Sequence, residues 1–338
     1  MNGFLAFLLA LCQILFGGLT YMEPAPMTPP DLTVHFLDVG QADCALLEYD
    51  GEYLLIDGGN VEDGQMVISY LQQQGVEELS AVVCSHAHED HVGGLPAVLA
   101  VFPAKAVYAP TDTYSSRVFD NFLRYTDQQG LQVTIPAPGD SISLGDVRIT
   151  VLGPLKTYAE TNNTSIVLKV EHGESSFLFT GDMELTAEWD LLDQGVDVSA
   201  DVLKVGHHGS ETSTGYRFLY AVNPAYGVVS VGTGNTYGHP DDVTLSRLSH
   251  ADVTVFRTDR LGTVMAVSNG KNITFYWENQ KALPDNAQPT LHYIGNKKSG
   301  TVHAEDCESV PAEKNREIFE SYHAAVAAGY RPCRNCIG

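Results

Sequence analysis

The stretch CSHAHEDHVGG, residues 84–94, sets three histidines (His86, His88, His91) and two carboxylates (Glu89, Asp90) into six consecutive positions. It follows the apolar run LSAVVCS, residues 79–85, which reads as a buried strand. A strand ending in that density of donors constrains the chain more than any other feature. In an extended segment residues two apart share a side, so His86 and His88 face one point. The following turn directs Asp90 and His91 toward a second point a few ångströms away. Imidazole nitrogen and carboxylate oxygen suit zinc, manganese or iron. Two such cations can acidify a shared water and stabilise charge on a scissile phosphoryl or acyl group. The plain alternative is a polar loop whose histidines are satisfied locally.

The surrounding pattern is layered α/β. LTVHFLDVG (32–40), CALLEYDGEYLLIDGG (44–59), VRITVLGP (147–154), TSIVLKVEHG (164–173) and SSFLFTGD (175–182) read as strands with tight turns. ADVLKVGHHGS (200–210), AYGVVSVG (225–232) and GTVMAVSNGKNITFYW (262–277) read the same way. MVISYLQQQGV (66–76), LPAVLAVF (95–102) and ELTAEWDLLDQG (184–195) carry helical spacing. Polar residues collect at strand ends, as expected of mixed sheets sandwiched by helices. These features mark one layered domain over 31–279. QKALPDNAQPT (280–290) reads as a linker, and 291–338 as a small appended module.

The His-x-His-x-Asp-His pattern of residues 86–91 resembles the signature of the metallo-β-lactamase superfamily, whose fold is an αββα sandwich. The resemblance implies a hydrolase holding two divalent metal ions, zinc or manganese, by His86, His88, Asp90, His91, Asp182 and His207. Asp182, ending SSFLFTGD, matches the carboxylate that bridges both metals, and Asp90 and Asp182 count as catalytic. His207, in VLKVGHHGS, matches the later histidine of the second metal. Asp57, in LLIDGG, matches a carboxylate that steadies a ligand histidine. FLDVGQADCALLE, KVGHHGSETST and SVGTGNTYGHP together are similar to the ComEC-type competence metallohydrolase domain. Two departures stand out. Ala42 replaces a usual glycine, and NNTSIVL occupies the region where most of the superfamily has a third histidine for the first metal.

His208, Ser210, Asn235, Tyr237 and His239 lie in turns after strands and are candidates for substrate contact by resemblance. His239, between Gly238 and Pro240, is the best placed to assist a leaving oxygen. Each has an equally plain reading as a residue that satisfies a turn.

At the other end His303, Cys307, Cys333 and Cys336 form two close pairs framing NREIFESYHAAVAAG (315–329), which reads as helical. Three cysteines are an odd number for disulfides, and four soft or borderline donors suit a closed tetrahedral zinc site. A module under fifty residues needs such a staple. The stretch resembles the Ada-type metal-binding domain, with His303 in place of the first cysteine.

Composition bears on the substrate. With 19 basic and 42 acidic residues the net charge is −23. Residues 291–338 carry six of each sign, so the first 290 hold the whole deficit. Such a field repels polyanions at long range, so a nucleic-acid substrate has to be held by local contacts. The apolar run Gly3–Leu19, before a Pro-rich spacer, reads as a secretion signal or anchor despite lacking a basic start. The expectation is therefore an extracellular or outer-face, metal-dependent phosphodiesterase with DNA as substrate. The alternatives are a phosphorylcholine or teichoic-acid esterase, and a DNA-binding competence component with weak catalysis.

Overall fold

The computed structural model describes residues 30–286, 293–304, 307, 309–319, 322–333 and 336. The expected leader of residues 1–30 lies outside them except for Pro30. Among the described residues no helix is long and apolar enough to cross a membrane.

The strands are β1 (Leu32–Phe36), β2 (Ala45–Tyr49), β3 (Glu52–Ile56), β4 (Ala81–Val83), β5 (Val107–Tyr108) and β6 (Val133–Thr134). Next come β7 (Ser141–Leu144), β8 (Val147–Gly153), β9 (Val167–His172), β10 (Ser175–Phe179) and β11 (Val202–Lys204). The hydrolase domain ends with β12 (Tyr226–Val229), β13 (Thr254–Arg257), β14 (Val264–Ser268) and β15 (Ile273–Trp277). A short β16 (Asp285–Asn286) falls inside the expected linker and pairs antiparallel with β13. Two eight-stranded sheets result, ordered β15-β14-β1-β2-β3-β4-β5-β6 and β16-β13-β12-β11-β10-β9-β8-β7.

Alternation along each strand builds the layers. Ala45, Leu47, Leu54, Ile56, Ala81 and Val83 join Phe177 and Phe179 in the core between the sheets. Their neighbours Leu46, Leu55 and Val82 face outward, under α1 (Gly64–Gln73), α2 (Glu89–Val92), α3 (Leu95–Val101) and α4 (Arg117–Gln128). On the second sheet Leu178 and Leu203 face α5 (Leu185–Asp193), α6 (Tyr216–Val222) and α7 (Asp242–His250). The fold is the expected αββα sandwich.

In both sheets the pairing changes from antiparallel to parallel, at β3-β4 and at β10-β11. Parallel strands present their C-terminal ends on one side, where a crevice suited to ligands opens. Asp57 follows β3, the histidine-rich turn follows β4, Asp182 follows β10, and His207 and His208 follow β11.

The tail forms a third sheet, β19-β17-β18-β20, from β17 (Tyr293–Asn296), β18 (Thr301–His303), β19 (Arg316–Phe319) and β20 (Arg331–Pro332). The expected helix over 315–329 is corrected here: Arg316–Phe319 is a strand paired with Tyr293–Asn296, and among the described residues the α-helix is confined to Tyr322–Ala327. Pairing across the sheet outweighs the local helical spacing.

Candidate metal centre

The histidine-rich turn is fixed from below. Asp57, at φ 59°, accepts the Ser85 amide at 2.7 Å and the His91 Nδ1–H at 2.9 Å. Gly58 N–H donates to the His91 carbonyl at 2.7 Å. Gly94 packs onto the Gly58 carbonyl so closely that any side chain there would collide. His91 therefore turns Nε2 toward the crevice, and the Asp57 carboxylate fixes both tautomer and aim.

Four side chains converge there. Asp90, His91, Asp182 and His208 offer donor atoms that all lie within 4.8 Å of one another. His91 Nε2 is 3.2 Å from Asp182 Oδ1, and His208 Nε2 is 3.2 Å from Asp90 Oδ2 and 3.6 Å from Asp182 Oδ2. His86 Nε2 stands 3.9 Å from Asp182 Oδ2 and 3.1 Å from His88 Nδ1, beside that cluster. His91 Nε2 and Asp182 Oδ1 are buried without hydrogen-bond partners. Stranding such groups costs about 1–3 kcal/mol each, which a cation between them would offset. The donor set fits divalent metal.

The charge distribution says the same. Burial opposes protonation of His91, yet Asp182, Asp57 and Asp90 outweigh it and hold its pKa well above the ordinary value. His208 is likewise pushed up to about 10, by Asp182 and Asp43 against burial. Asp90 is lowered to about 2, because His91 and the hydrogen bond from His208 overcome its burial. The carboxylates stay ionised, and the pocket demands positive charge, which protons or metal can supply. His86 is different: burial, then His91, lowers its pKa well below normal, which leaves a neutral imidazole ready to ligate.

Of the two adjacent histidines, His207 was expected to ligate metal and His208 to contact substrate; both approach Asp182, at 3.7 and 3.6 Å. His208, buried, donates Nδ1–H to the Ser230 carbonyl at 3.0 Å and so turns Nε2 into the donor cluster. His207, 23% exposed at its side chain, comes no closer than 3.7 Å to Asp182 and lies 3.5 Å from the Asn162 amide. Both adopt left-handed backbone, φ 49° and 52°. Spacing cannot say which of two neighbours turns inward; the loop conformation decides it. Asn162, in the segment lacking the usual histidine, sets its amide nitrogen 3.5 Å from His207 Nε2 and has a buried Oδ1 with no partner.

Asp43, Lys204 and Glu184 also contribute and were not foreseen. Asp43, inside the quoted DVGQADC stretch, ion-pairs with Lys204 at 2.7 Å and stands 3.2 Å from His208 Nδ1, all three buried. Its backbone N–H also donates to the Asp90 carbonyl at 3.0 Å. Asp43 thus stands to His208 as Asp57 stands to His91. Glu184 accepts from Thr212 Oγ1 at 3.2 Å, 3.7 Å from His207 Nδ1.

Of the expected substrate contacts, Asn235 holds its own turn, donating to the Gly232 and His239 carbonyls at 3.0 and 2.6 Å. Ser210 Oγ lies 3.1 Å from Thr212 Oγ1 in its own loop, and its carbonyl takes Thr244 Oγ1 of α7 at 2.9 Å. His239 lies ring to ring 5.6 Å from His207, and Tyr237, 72% exposed, stacks on it at 5.8 Å. Burial, then His207, lowers the His239 pKa, so its imidazole is neutral near pH 7. Shallow depressions of about 400 and 390 Å³ flank the centre, one lined by Asp112 and Asp120, the other by Glu184 and Glu211.

The tail brings His303, Cys307, Cys333 and Cys336 together, all donors within 4.8 Å. His303 Nδ1 is 3.4 Å from Cys307 Sγ. The edges of a tetrahedron drawn with ordinary zinc bond lengths are about 3.5–3.8 Å. The three cysteines are free thiols, and burial, then Cys307, pushes the Cys336 thiol up.

The Metallo-beta-lactamase superfamily profile matches residues 37–233, and the metal binding domain of Ada matches 280–337. ComE operon protein 3 of Bacillus subtilis (strain 168) is 29% identical over 272 residues, 75% of this chain and 34% of that protein. Competence protein ComA of Neisseria gonorrhoeae is 29% identical over 253 residues, 74% of this chain and 34% of that protein. The chain thus spans about a third of the length of these relatives. Among solved structures, the metallo-beta-lactamase fold protein YhfI from Bacillus subtilis aligns at 12% identity and TM-score 0.48, covering 72% of this chain and all of that one. The chain belongs to the metallo-beta-lactamase superfamily, as a hydrolase-fold protein related to competence proteins and joined to an Ada-type metal-binding domain.

Proposed function

We propose that the chain is an exported, metal-dependent phosphodiesterase acting on DNA. The observation that carries the reading is the donor cluster of Asp90, His91, Asp182 and His208, with two buried partnerless atoms facing a crevice. The relation to competence proteins supports DNA as the substrate class. His86, His88 and Asp182 would hold one divalent ion, and Asp90, His91, Asp182 and His208 the other, with His207 and Asn162 beside Asp182. Such ions, when bound, supply Lewis acidity and an activated water for in-line attack on phosphorus.

The protein's own groups do the rest. Asp57 and Asp43 keep two imidazoles aimed, and Asp182 stays ionised among four histidines, His86, His91, His207 and His208. His239, neutral and with a partnerless Nδ1, can set a hydrogen-bond donor against the leaving oxygen. Tyr237 offers an exposed aromatic face beside it, on which a nucleobase can stack. Acidic walls hold no phosphate, so affinity should show a shallow salt dependence: two or three neutralised phosphates at about 0.7–0.9 each.

Those same walls favour the second reading, an esterase for a phosphorylcholine or teichoic-acid substrate, since Asp112, Asp120, Glu184 and Glu211 suit a cationic headgroup. The test is direct. Purified protein is incubated with single- and double-stranded DNA and with phosphorylcholine-bearing polymer, with and without manganese or zinc at matched salt. Metal-dependent DNA cleavage is expected, and His239→Ala should lower turnover on DNA more than it lowers metal affinity. Release of choline phosphate with no DNA cleavage would replace the nuclease with the esterase. Tight DNA binding with no cleavage would leave a competence component with weak catalysis.

Export is proposed from the apolar run Gly3–Leu19. Fractionation of cells expressing the chain with and without that run tests it. Equal retention of both forms in the cytoplasm would rule it out.

A further inference from the structure

Among the described residues, Tyr293 of the tail domain packs against the hydrolase domain. Tyr293 is 1% exposed; among the described residues its own domain covers it with Val302, Ala304 and Ala325 and with the partly buried Phe319, Tyr330 and Cys336. Helices α6 and α7 supply further cover, with Tyr216 and Tyr220 in the same cluster. The Tyr220 and Tyr293 hydroxyls hydrogen-bond to each other. The His250 ring meets Tyr293 edge-on at 5.2 Å and stacks on Tyr216 at 6.3 Å, and the Tyr216 hydroxyl lies 3.1 Å from His250 Nδ1.

One turn before His250, Arg247 lays its guanidinium 5.8 Å over the Tyr216 ring. The same guanidinium donates to the Glu211 and Ser213 carbonyls at 3.0 and 2.9 Å. Thr244, also on α7, donates to the Ser210 carbonyl at 2.9 Å. The segment 207–215 that carries His207 and His208 is therefore held from behind by α6 and α7, against which Tyr293 is wedged.

That segment needs holding. Two consecutive non-glycine residues in left-handed backbone, His207 and His208, are each unfavourable by about 1–2 kcal/mol. Such strain survives only where the surroundings over-determine it. If α6 and α7 relax, the contacts of His208 with Ser230 and Asp43 and of Glu188 with Thr214 and Gly215 are left to hold a strained loop by themselves.

We infer that the C-terminal domain braces the hydrolase centre: Tyr293, acting through Tyr216, His250 and Arg247, positions the 207–215 loop and so sets how tightly the Asp90–His91–Asp182–His208 cluster holds a cation. Tyr293 is a positioning residue in this scheme, about which the substrate makes no difference. The two donor clusters become thermodynamically linked, since ordering one domain favours binding in the other.

The full-length chain tests this with Tyr293→Ala, Tyr293→Phe, Arg247→Gln and the double variant Tyr293→Ala/Arg247→Gln. Two quantities are read: amide exchange across 206–215 against strand segment 45–56, and Mn²⁺ affinity by titration calorimetry. Manganese is chosen because oxygen and imidazole donors accept it more readily than thiolates do. Tyr293→Ala should speed exchange in 206–215 and weaken Mn²⁺ binding about tenfold, with 45–56 unchanged. Tyr293→Phe, which keeps the ring, should restore most of both. Because Tyr293 acts through Arg247, the double variant should be no worse than the stronger single one. Unchanged exchange and Mn²⁺ affinity in Tyr293→Ala, whether the tail stays folded or opens, would overturn the brace. Fully additive effects in the double variant would also overturn it, by showing that Arg247 holds the loop without the tail.

Discussion

The two donor clusters are built on opposite terms. The hydrolase centre sits at the ends of parallel strands from two eight-stranded sheets, above cores that hold dozens of fully buried side chains. Each such side chain contributes about 1.5–3 kcal/mol, so the framework does not depend on the donors. The tail has four strands and a core cluster of four buried residues, one of them Tyr293. There three of the donors, His303, Cys307 and Cys333, make up much of what is buried, and Cys336 is partly buried. Donor chemistry follows the same division. Carboxylates and imidazoles facing a crevice leave room for substrate, whereas a buried histidine and three thiols make a closed site. In the first region the core makes the site; in the second the site makes the core.

The largest expected effect breaks the first half of that comparison. Asp182→Ala should cut hydrolysis of a small phosphodiester by about a thousandfold or more, with metal content reduced and circular dichroism and melting temperature preserved. Activity retained in a folded, metal-free Asp182→Ala, Asp90→Ala or His86→Ala protein would remove the metal mechanism.

Next in size is the tail. Cys333→Ser should release one zinc equivalent and open residues 293–336 to protease, because a closed four-coordinate site supplies most of a small domain's folding energy. The strands of the hydrolase domain should keep their exchange protection. If native mass spectrometry instead finds no zinc in the unmutated tail and a Cys333–Cys336 disulfide, the contrast between the regions fails.

A smaller effect sharpens the claim that the framework aims the donors. Asp43→Asn removes the charge beside Lys204 and His208, and should weaken metal binding about 10- to 100-fold with little change in the sheets. Metal affinity equal to that of the parent chain, measured by competition with a chelating dye, would show that Ser230 alone aims His208.

The smallest effect concerns Glu188, buried on α5, which accepts the Thr214 and Gly215 amides at the end of the histidine loop. Burial raises its pKa from 4.5 to about 7, with those amides and Arg247 offsetting only part of the rise. Between these values the folded chain keeps a proton that the unfolded chain has released. Its contribution to stability is therefore complete below pH 4.5 and is lost as pH rises through about 7. Glu188→Gln should flatten that part of the profile, read as urea midpoints across the window. An unchanged slope would assign the pH dependence to other groups.

How much of this was legible varies with the range of the forces involved. The strand alternation around Leu46, Leu47, Leu54 and Leu55 is a local pattern, and it gave both layers of the first sheet. Residues 86–91 gave the centre's position, because six neighbouring residues must lie close together in any fold. Helix α4 was not foreseen, although Phe119, Phe122 and Thr126 recur on one helical face, with Arg, Asp and Asn on the other, and that face is buried against the sheet. Arg316–Phe319 looked helical and became a strand because Tyr293–Asn296 offered it a partner. Asp43 was quoted within a motif, but nothing near it in the chain shows that Lys204 and His208 are its partners.

The sequence by itself determined the family, the layered fold, and the kind of donors each site would carry, because those follow from local periodicity and from residue chemistry. Only the tertiary structure decided which of His207 and His208 turns inward, that Asp43 stands behind one imidazole as Asp57 stands behind another, and that Tyr293 reaches the back of the histidine loop. These depend on contacts between residues tens to hundreds of positions apart: Asp90 and His208 are separated by 118 positions, Tyr220 and Tyr293 by 73. A spacing rule reaches a few residues along the chain, whereas packing closes distances that the chain order does not contain.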